Sequence, residues 1–341
     1  MCRVSGPTIA DIARAAEVST ATVSHALNGT GRLAESTRRR VREVATAIGY
    51  GSYRTPRSRT RTLGLAVTTF AGSAWNFVAV SYFSQWLTAA TSAAHARGYA
   101  LTTLPADRGA GTAWHTLSVD GMLLLDSPKD DPVLRALRAR GIPVVFDGRP
   151  ADPRPGDIWV DNDHAATTRE VLDHLAGSGA RRIALHGGFG DEHYTYAVTR
   201  AYEEWCAERG RPPLLIPFTP DDAPGHAFDP AFGDAPGGRA ADAVYCLYDP
   251  GARQVLAAAA RHGLRVPEEL LLVCASEDPA YALGDPAVST VTLRPAVIGE
   301  SAVAALVALL ESPRGARPGE LTVPAALTVR ASSGGLFGQR P

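Results

Sequence analysis

Three short apolar stripes at helical spacing open the chain, and a different rhythm takes over after residue 62. Ile9, Ile12, Ala13 and Ala16 recur at the 3, 4 and 7 spacing of one buried helix face. Thr8 and Asp11 precede that stripe as Thr-x-x-Asp, a variant of the capping box that gives free backbone N–H groups an acceptor. Ser19 suits the N-cap of a second helix, and Val18 and Val23 flank it where a hydrophobic staple would close. Val41, Val44, Ala45 and Ile48 form a third stripe, with Gly49 where a helix would stop. Two short helices joined by a tight turn and braced by a third predict a helix-turn-helix.

From Leu63 onward, short apolar runs alternate with longer helical patterns. The runs are Leu63–Val67, Ala100–Leu104, Met122–Leu125, Val144–Phe146, Ile183–His186, Val244–Leu247 and Leu270–Cys274. Helical segments are expected near 82–97, 132–140, 165–178, 195–208, 252–262 and 296–311. Such alternation predicts an α/β body of parallel sheets covered on both faces, with enough units for two sheets. A ligand would then sit at the strand C-termini facing the cleft. No fixed-period repeat appears, and the Pro-, Gly-, Asp- and Ala-rich stretch Pro217 to Gly238 reads as a loop.

Charge sharpens this division. Residues 1–62 hold 11 Arg against four acids (Asp11, Glu17, Glu35, Glu43), a balance of +7, so the remainder carries −8 within a total of −1. A basic head on an acidic body fits a protein that grips phosphates at one end only. Cys2, Cys206, Cys246 and Cys274 are widely spaced without a Cys-x-x-Cys, which predicts reduced, mostly buried thiols. The chain has no apolar run of spanning length and no secretory apolar segment at its start. A cytoplasmic protein without membrane partners is expected.

The first fifty residues resemble the DNA-binding headpiece of the LacI/GalR family of bacterial transcription regulators. The resemblance is carried by Thr8-Ile9-Ala10-Asp11-Ile12-Ala13, by Val18-Ser19-x-x-Thr22-Val23-Ser24-x-x-Leu27-Asn28, and by Thr37-Arg38-x-Arg40-Val41 running to Ile48-Gly49-Tyr50. It implies double-stranded DNA as partner. Base reading falls on Thr20, Ala21 and His25, with Thr8, Ser19, Thr22, Ser24 and Asn28 completing the DNA-binding set. Thr and Ala can meet a thymine methyl, and His can donate to a guanine acceptor. For Arg38, Arg39, Arg40 and Arg42 two readings stay open, phosphate contacts or a solvated face. In the linker Gly51 to Thr62, Arg57-Ser58 matches the family's hinge, but Arg59 stands where a minor-groove leucine belongs and Pro56 replaces a small helix former. Arg57 and Arg59 are therefore expected to track phosphates or enter a narrow minor groove without a strong kink, or else to lie in a flexible charged linker.

The resemblance continues through the body. It is carried by Gly98-Tyr99, Val119-Asp120-Gly121, Pro143-Val144-Val145 with Asp147, and Val160-Asp161-Asn162. Further matches are Cys246-x-x-Asp249, Gly263-Leu264-x-Val266-Pro267-Glu268, and Asp285-Pro286 leading to Ser289-Thr290-Val291. The fold it implies is a three-helix headpiece plus a periplasmic-binding-protein-like pair of α/β lobes that dimerises and closes on a small-molecule effector. The expected division is a headpiece at 1–50, a hinge at 51–62, a core at 63–330 and a tail at 331–341. Within the core, one lobe would hold about 63–160 and 292–321, the other about 161–291 and 322–330.

The effector pocket departs from the family. Val198 falls where a ligand-gripping arginine is expected, with Arg200 only nearby, and Tyr248 and Ser276 replace an amide and a carboxylate. Polyols are held by groups that bond two hydroxyls at once, so an ordinary small sugar is disfavoured. Phe70, Trp75, Tyr194, Tyr196, Tyr248 and Tyr281 offer stacking surfaces instead; each taken singly more often fills a core, and it is their joint placement at strand ends that favours a ligand. The expected effector set is Thr68, Phe70, Trp75, Asp147, Tyr194, Arg200, Tyr248, Asp249, Ser276 and Glu277, with Asp147, Arg200 and Glu277 as polar handles.

Catalytic and metal readings are weaker. His186-Gly187-Gly188 resembles an oxyanion turn, yet no Gly-x-Ser-x-Gly elbow accompanies it. Asp191, Glu192 and His193 are three neighbours in one loop, which seldom converge on one ion. No P-loop or Gly-x-Gly-x-x-Gly occurs. The expectation is a homodimeric regulator, a repressor rather than an enzyme, with no cofactor and no metal, acting on a near-palindromic operator. The alternatives are a regulator answering to a protein partner and a ligand-modifying enzyme.

Overall fold

A computed structural model describes residues 8–28, 31, 33–48, 60–68, 77–103, 118–188, 190–219, 226–233, 240–311 and 319–334. The chain separates into an N-terminal unit, Met1–Thr60 grouped with Leu137–Ile142, and a body of Arg61–Ala136 and Pro143–Pro341.

The N-terminal unit is three helices, α1 (Ile9–Ala15), α2 (Thr20–Asn28) and α3 (Glu35–Ala47). Thr8 and Asp11 close a reciprocal box: Thr8 N donates to the Asp11 carboxylate at 2.8 Å, and Asp11 N donates to Thr8 Oγ1 at 3.3 Å. The Thr8 hydroxyl, which donates to Asp11 Oδ2 at 2.7 Å, and then Thr8 N hold the Asp11 carboxyl below its ordinary value. Ser19 Oγ accepts from Thr22 N at 3.0 Å and starts α2. Ile12, Ala13, Ala16, Val23, Ala26, Val41 and Ala45 are buried together, with Val18, Leu27, Leu33, Val44 and Ile48 packed around them. The turn between α1 and α2 runs through Glu17 at φ 51°, a left-handed residue that lets Val18 N reach back to Ala13 O at 3.0 Å.

The body holds two six-stranded sheets. The first contains β1 (Thr62–Val67), β2 (Ala100–Thr103), β3 (Gly121–Leu125), β4 (Val144–Asp147), β5 (Ile158–Asp161) and β11 (Glu320–Thr322), all parallel in the order β2-β1-β3-β4-β5-β11. Helices α4 (Ser81–Ala96) and α5 (Pro132–Ala139) belong to this lobe. The second contains β6 (Ile183–Gly187), β7 (Leu215–Pro217), β8 (Ala243–Cys246), β9 (Leu271–Ala275), β10 (Ser289–Thr292) and β12 (Ala326–Thr328), in the order β7-β6-β8-β9-β10-β12. Here the expectation of purely parallel sheets needs correcting, because β12 pairs antiparallel with β10. The chain reaches β12 directly from β11 of the other lobe and arrives from the opposite end. Helices α6 (His164–Gly177), α7 (His193–Glu208), α8 (Asp229–Phe232), α9 (Gly251–Arg261) and α10 (Ala280–Leu283) build the second lobe. Helix α11 (Pro295–Glu311) returns to the first, and α12 (Ala331–Gly334) lies on the second sheet.

Each lobe has its own core. In the first, Leu63, Leu65, Leu123, Leu125 and Val145 meet Trp86 and Phe83 of α4 and Ile298, Val303 and Leu306 of α11. Gly299 lets α11 approach α4, since a Cβ there would lie 2.8 Å from Trp86 O. In the second lobe one sheet face packs on Val171, Leu175, Val198, Tyr202 and Trp205, and the other on Val255, Ala259, Phe228 and Phe232. The stretch read as a loop therefore holds two buried aromatic side chains on a short helical turn. The expected tail also begins later than residue 331. Ser332 and Ser333 are fully buried, and Ser332 Oγ donates to Leu272 O at 2.6 Å while accepting from Ser289 N at 2.8 Å.

Three segments cross between the lobes: after β5, after β10 and between β11 and β12. Asn162, 7% exposed, stands in the first and donates from its side-chain amide to the other two. Its partners are Leu293 O at 3.1 Å and Val323 O at 2.7 Å. One amide thus latches all three crossovers.

Candidate DNA-reading face and effector cleft

Helix α2 turns about 100° per residue, so Thr20, Ala21, Ser24 and His25 share one side within an arc of about 140°, while the Asn28 side chain lies outside the described residues. Thr20, Ala21 and His25 are exposed and Ser24 half-buried, while Val23 and Ala26 on the other side are fully buried. Thr8 and Ser19 are exposed at the starts of α1 and α2, and Thr22 is half-buried. Arg57 and Arg59 lie outside the described residues, as do Phe70 and Trp75. The arginines of α3 divide in a way the sequence did not indicate. Arg38 caps the end of α2 by donating to Gly31 O at 2.7 Å and His25 O at 3.3 Å. Arg40 pairs with Glu17 at 3.2 Å on the turn.

In the body, the strand order reverses beside β1 in the first sheet and beside β6 in the second, which opens a crevice at their C-terminal ends. Thr68, Asp126, Asp147 and Asp161 occupy the ends of β1, β3, β4 and β5. Neighbouring strands lie about 4.8 Å apart, so these ends form one short row. Thr68 Oγ1 is spent on Leu125 O at 3.2 Å. Asp147 is 4% exposed and accepts from Tyr82 Oη of α4 at 3.0 and 2.9 Å. Burial and the neighbouring Asp161 raise the Asp147 carboxyl to about 8, against the opposing hydrogen bond from Tyr82. Burial pushes Asp126 up as well, reinforced by Glu192, Asp147 and Asp161. Asp161 is the exception: burial opposes its ionisation, but His164 at 2.7 Å holds it below the ordinary value.

The second lobe contributes Glu192, Tyr194, Thr195 and Tyr248. Tyr194 Oη donates to Leu247 O at 2.8 Å, and its ring meets His164 edge-on at 4.9 Å between centroids. Thr195 bonds both Glu192 and Tyr248, and Tyr248 Oη lies 3.5 Å from Glu192 Oε1. Gly190 leaves room for the Glu192 carboxylate, since a Cβ there would lie 1.7 Å from Glu192 Oε2 and the side chain would have to shift.

Several expected handles are engaged elsewhere. Arg200 is exposed on α7 and pairs with Glu204 at 2.8 Å, and Tyr196 is 62% exposed. Neither is brought to the cleft. Val198, between them, is buried in the second core. Asp249 accepts from Ser276 Oγ, and Tyr281 Oη donates to Asp249 O, so these three brace one another. Glu277 accepts from Thr292 Oγ1 at 2.8 Å and Leu293 N at 2.7 Å, which fixes a crossover. Its backbone O also accepts from Gln85 of the first lobe at 3.2 Å. Sequence reasoning missed Tyr82, Asp126 and Thr195 and weighed Glu192 only as a metal ligand; Asp126 was findable as the polar residue ending the run Met122–Leu125.

The two readings of chemistry also find their places. His186 is buried, with Nδ1 3.0 Å from Ile216 O and Nε2 3.0 Å from Gln254 Oε1, so it joins two elements of the core. Among the described residues, no group of three or more His, Cys, Asp or Glu converges as a metal site. Cys206, Cys246 and Cys274 are buried free thiols.

Residues 8–52 match the family model for bacterial regulatory proteins of the lacI family, and residues 172–333 match a periplasmic binding protein-like domain. The chain therefore carries a lacI-family regulatory domain followed by a periplasmic binding protein-like domain. It is a DNA-binding transcriptional regulator with an effector-binding body. Among curated relatives, the HTH-type transcriptional regulator CelR of Thermobifida fusca is 27% identical over 88% of this chain and 91% of its own length. The transcriptional repressor PurR of Aliivibrio fischeri is 27% identical over 87% and 89%. A solved CelR–cellobiose complex superposes with a TM-score of 0.71 at 26% identity, covering 96% of this chain and 99% of that one. A Lac repressor dimer bound to operator, 20% identical with a TM-score of 0.67, shares the fold. No helix of the described residues is long and apolar enough to cross a membrane.

Proposed function

We propose that this regulator is a cytoplasmic, non-enzymatic repressor that binds a near-palindromic operator as a homodimer and is controlled by a small polar ring-bearing effector held between its lobes. The exposed face of α2 carries the reading. Thr20, Ala21 and His25 are short or neutral enough to enter a major groove, and Thr8 and Ser19 sit beside them for phosphate oxygens. Two identical heads need half-sites related by a two-fold axis, which sets the operator's symmetry. Support for the effector half comes from the cleft itself, where carboxyl, hydroxyl and aromatic groups of both lobes meet, and from the cellobiose-bound relative. Closure of the lobes about the latched crossovers would change how the two heads are spaced.

Selection of bound sequences from random duplex DNA with the full chain tests the DNA half. A near-palindrome should emerge, and Thr20→Ala and His25→Ala should each relax the motif at one position per half-site, costing about 1–3 kcal/mol there. Enrichment of no motif, or a motif indifferent to both substitutions, would refute it.

A further inference from the structure

On the premise that His25 meets a base edge, the direction of its ring decides how sharply that base is read. An exposed histidine in the last turn of a nine-residue helix would ordinarily sample several rotamers, because helix ends fray. In α2 the His25 carbonyl is also one of the four at the helix end that lack an intrahelical donor. Arg38 Nη1 donates to it at 3.3 Å, and Arg38 Nη2 donates to Gly31 O at 2.7 Å. One guanidinium fork therefore ties the end of α2 to the chain that leaves it. Arg38 is itself anchored. It is half-buried, unlike its exposed neighbours Arg39 and Arg40, and it lies one turn before Val41 and two before Ala45, both buried in the headpiece core.

Gly31 supplies the second constraint. At φ 73° it adopts the left-handed conformation, and a Cβ there would lie 3.0 Å from His25 Cγ and 3.1 Å from His25 Nδ1. The bare backbone of Gly31 thus packs against the imidazole more closely than a side chain would allow without moving the ring. Arg38 fixes Gly31, Gly31 bounds the ring, and Arg38 also holds the carbonyl of the same histidine.

We propose that Arg38 and Gly31 are positioning residues for operator recognition, which hold His25 in its base-reading orientation before DNA arrives. Specificity at that base is then set from α3 and the turn before it as well as from α2. Ordering one side chain in advance spares the complex about a 2- to 10-fold loss of affinity for the right base. A role confined to the headpiece fold would instead weaken binding to every sequence alike. So would a phosphate contact by Arg38, which would in addition lower the salt slope.

Selection from random duplex DNA with the full chain, scored position by position, separates these roles. His25→Ala first identifies the base position that answers to His25. At that position Gly31→Ala and Arg38→Ala should each lower the enrichment of the preferred base by about 2- to 10-fold, while positions that answer to Thr20→Ala stay unchanged. Gly31→Asn is the second variant, because asparagine tolerates the left-handed conformation and still brings a Cβ against the ring. If Gly31→Ala recovers no motif, Gly31→Asn decides. An even loss across all positions in the Gly31 and Arg38 variants would overturn the inference and leave base reading by His25 standing. A Gly31→Asn motif identical to that of the unaltered chain would do the same. Loss of any motif in both Gly31 variants would show that the glycine serves the headpiece fold, and would also overturn it. Indifference of every position to His25→Ala would overturn the inference and base reading by His25 together.

Discussion

Replacing Asn162 with alanine removes one amide and with it the link among all three crossovers. Both acceptors, Leu293 O and Val323 O, lie on different segments, at 3.1 and 2.7 Å, and the side chain is 7% exposed. Each buried hydrogen bond contributes about 1 kcal/mol net, and a carbonyl left without a donor costs about 1–3 kcal/mol more. Partial access of water to the opened hinge reduces the second figure, so the expected loss is about 2–4 kcal/mol. Asn162→Asp should be worse than alanine, although it keeps the size. A carboxylate there would face two carbonyl oxygens and the neighbouring Asp161, whose Oδ1 already accepts from Asn162 N at 2.8 Å. Urea unfolding of the full chain at pH 7, followed by tryptophan fluorescence, gives both values from the midpoint shift at constant slope. A loss below about 0.5 kcal/mol for Asn162→Ala, or an Asp variant as stable as the Ala variant, would refute the latch.

Other sites give sharp expectations. Gly299→Ala should destabilise the first lobe by about 1–3 kcal/mol in the same unfolding assay, because its Cβ would lie 2.8 Å from a backbone oxygen that has no rotamer to change. Glu17→Gly should relieve a left-handed residue at φ 51° and stabilise the headpiece by up to about 1 kcal/mol, since the exposed Arg40 pair that it removes contributes little. Arg38→Ala should lower headpiece melting and weaken operator binding together, whereas a pure phosphate contact would change only binding and its salt slope. The buried Asp147 carboxyl, raised to about 8, binds its proton more tightly in the folded than in the unfolded chain. Stability should therefore fall as pH rises from about 4 to 8, by up to about 1.4 kcal/mol per unit for one retained proton. Asp147→Asn should flatten that slope, as chemical denaturation at pH 5, 6, 7 and 8 would show; an unchanged slope would place the proton elsewhere.

What the sequence determined by itself was local. The stripes of the three N-terminal helices, the Thr8–Asp11 box and the Ser19 cap are contacts within four residues, so spacing alone specifies them. The same holds for the seven short apolar runs and six helices of the body, whose alternation needs no partner to be recognised. Strands β7, β11 and β12 escaped because three residues carry too little pattern, whereas β5 and β10 are no shorter than β2, β4 and β8 and were missed because their pairing partners are distant in sequence. Tertiary structure alone decided the cleft. Two residues along a helix turn the side chain by about 200°, so Val198 fills the core while Arg200 faces water. Asp126, Asp147 and Glu192 are separated by dozens of residues, and only parallel pairing and the second lobe make them neighbours. Asn162 reads in sequence as one polar residue after a strand, and it becomes the latch because the chain crosses between the lobes three times beside it.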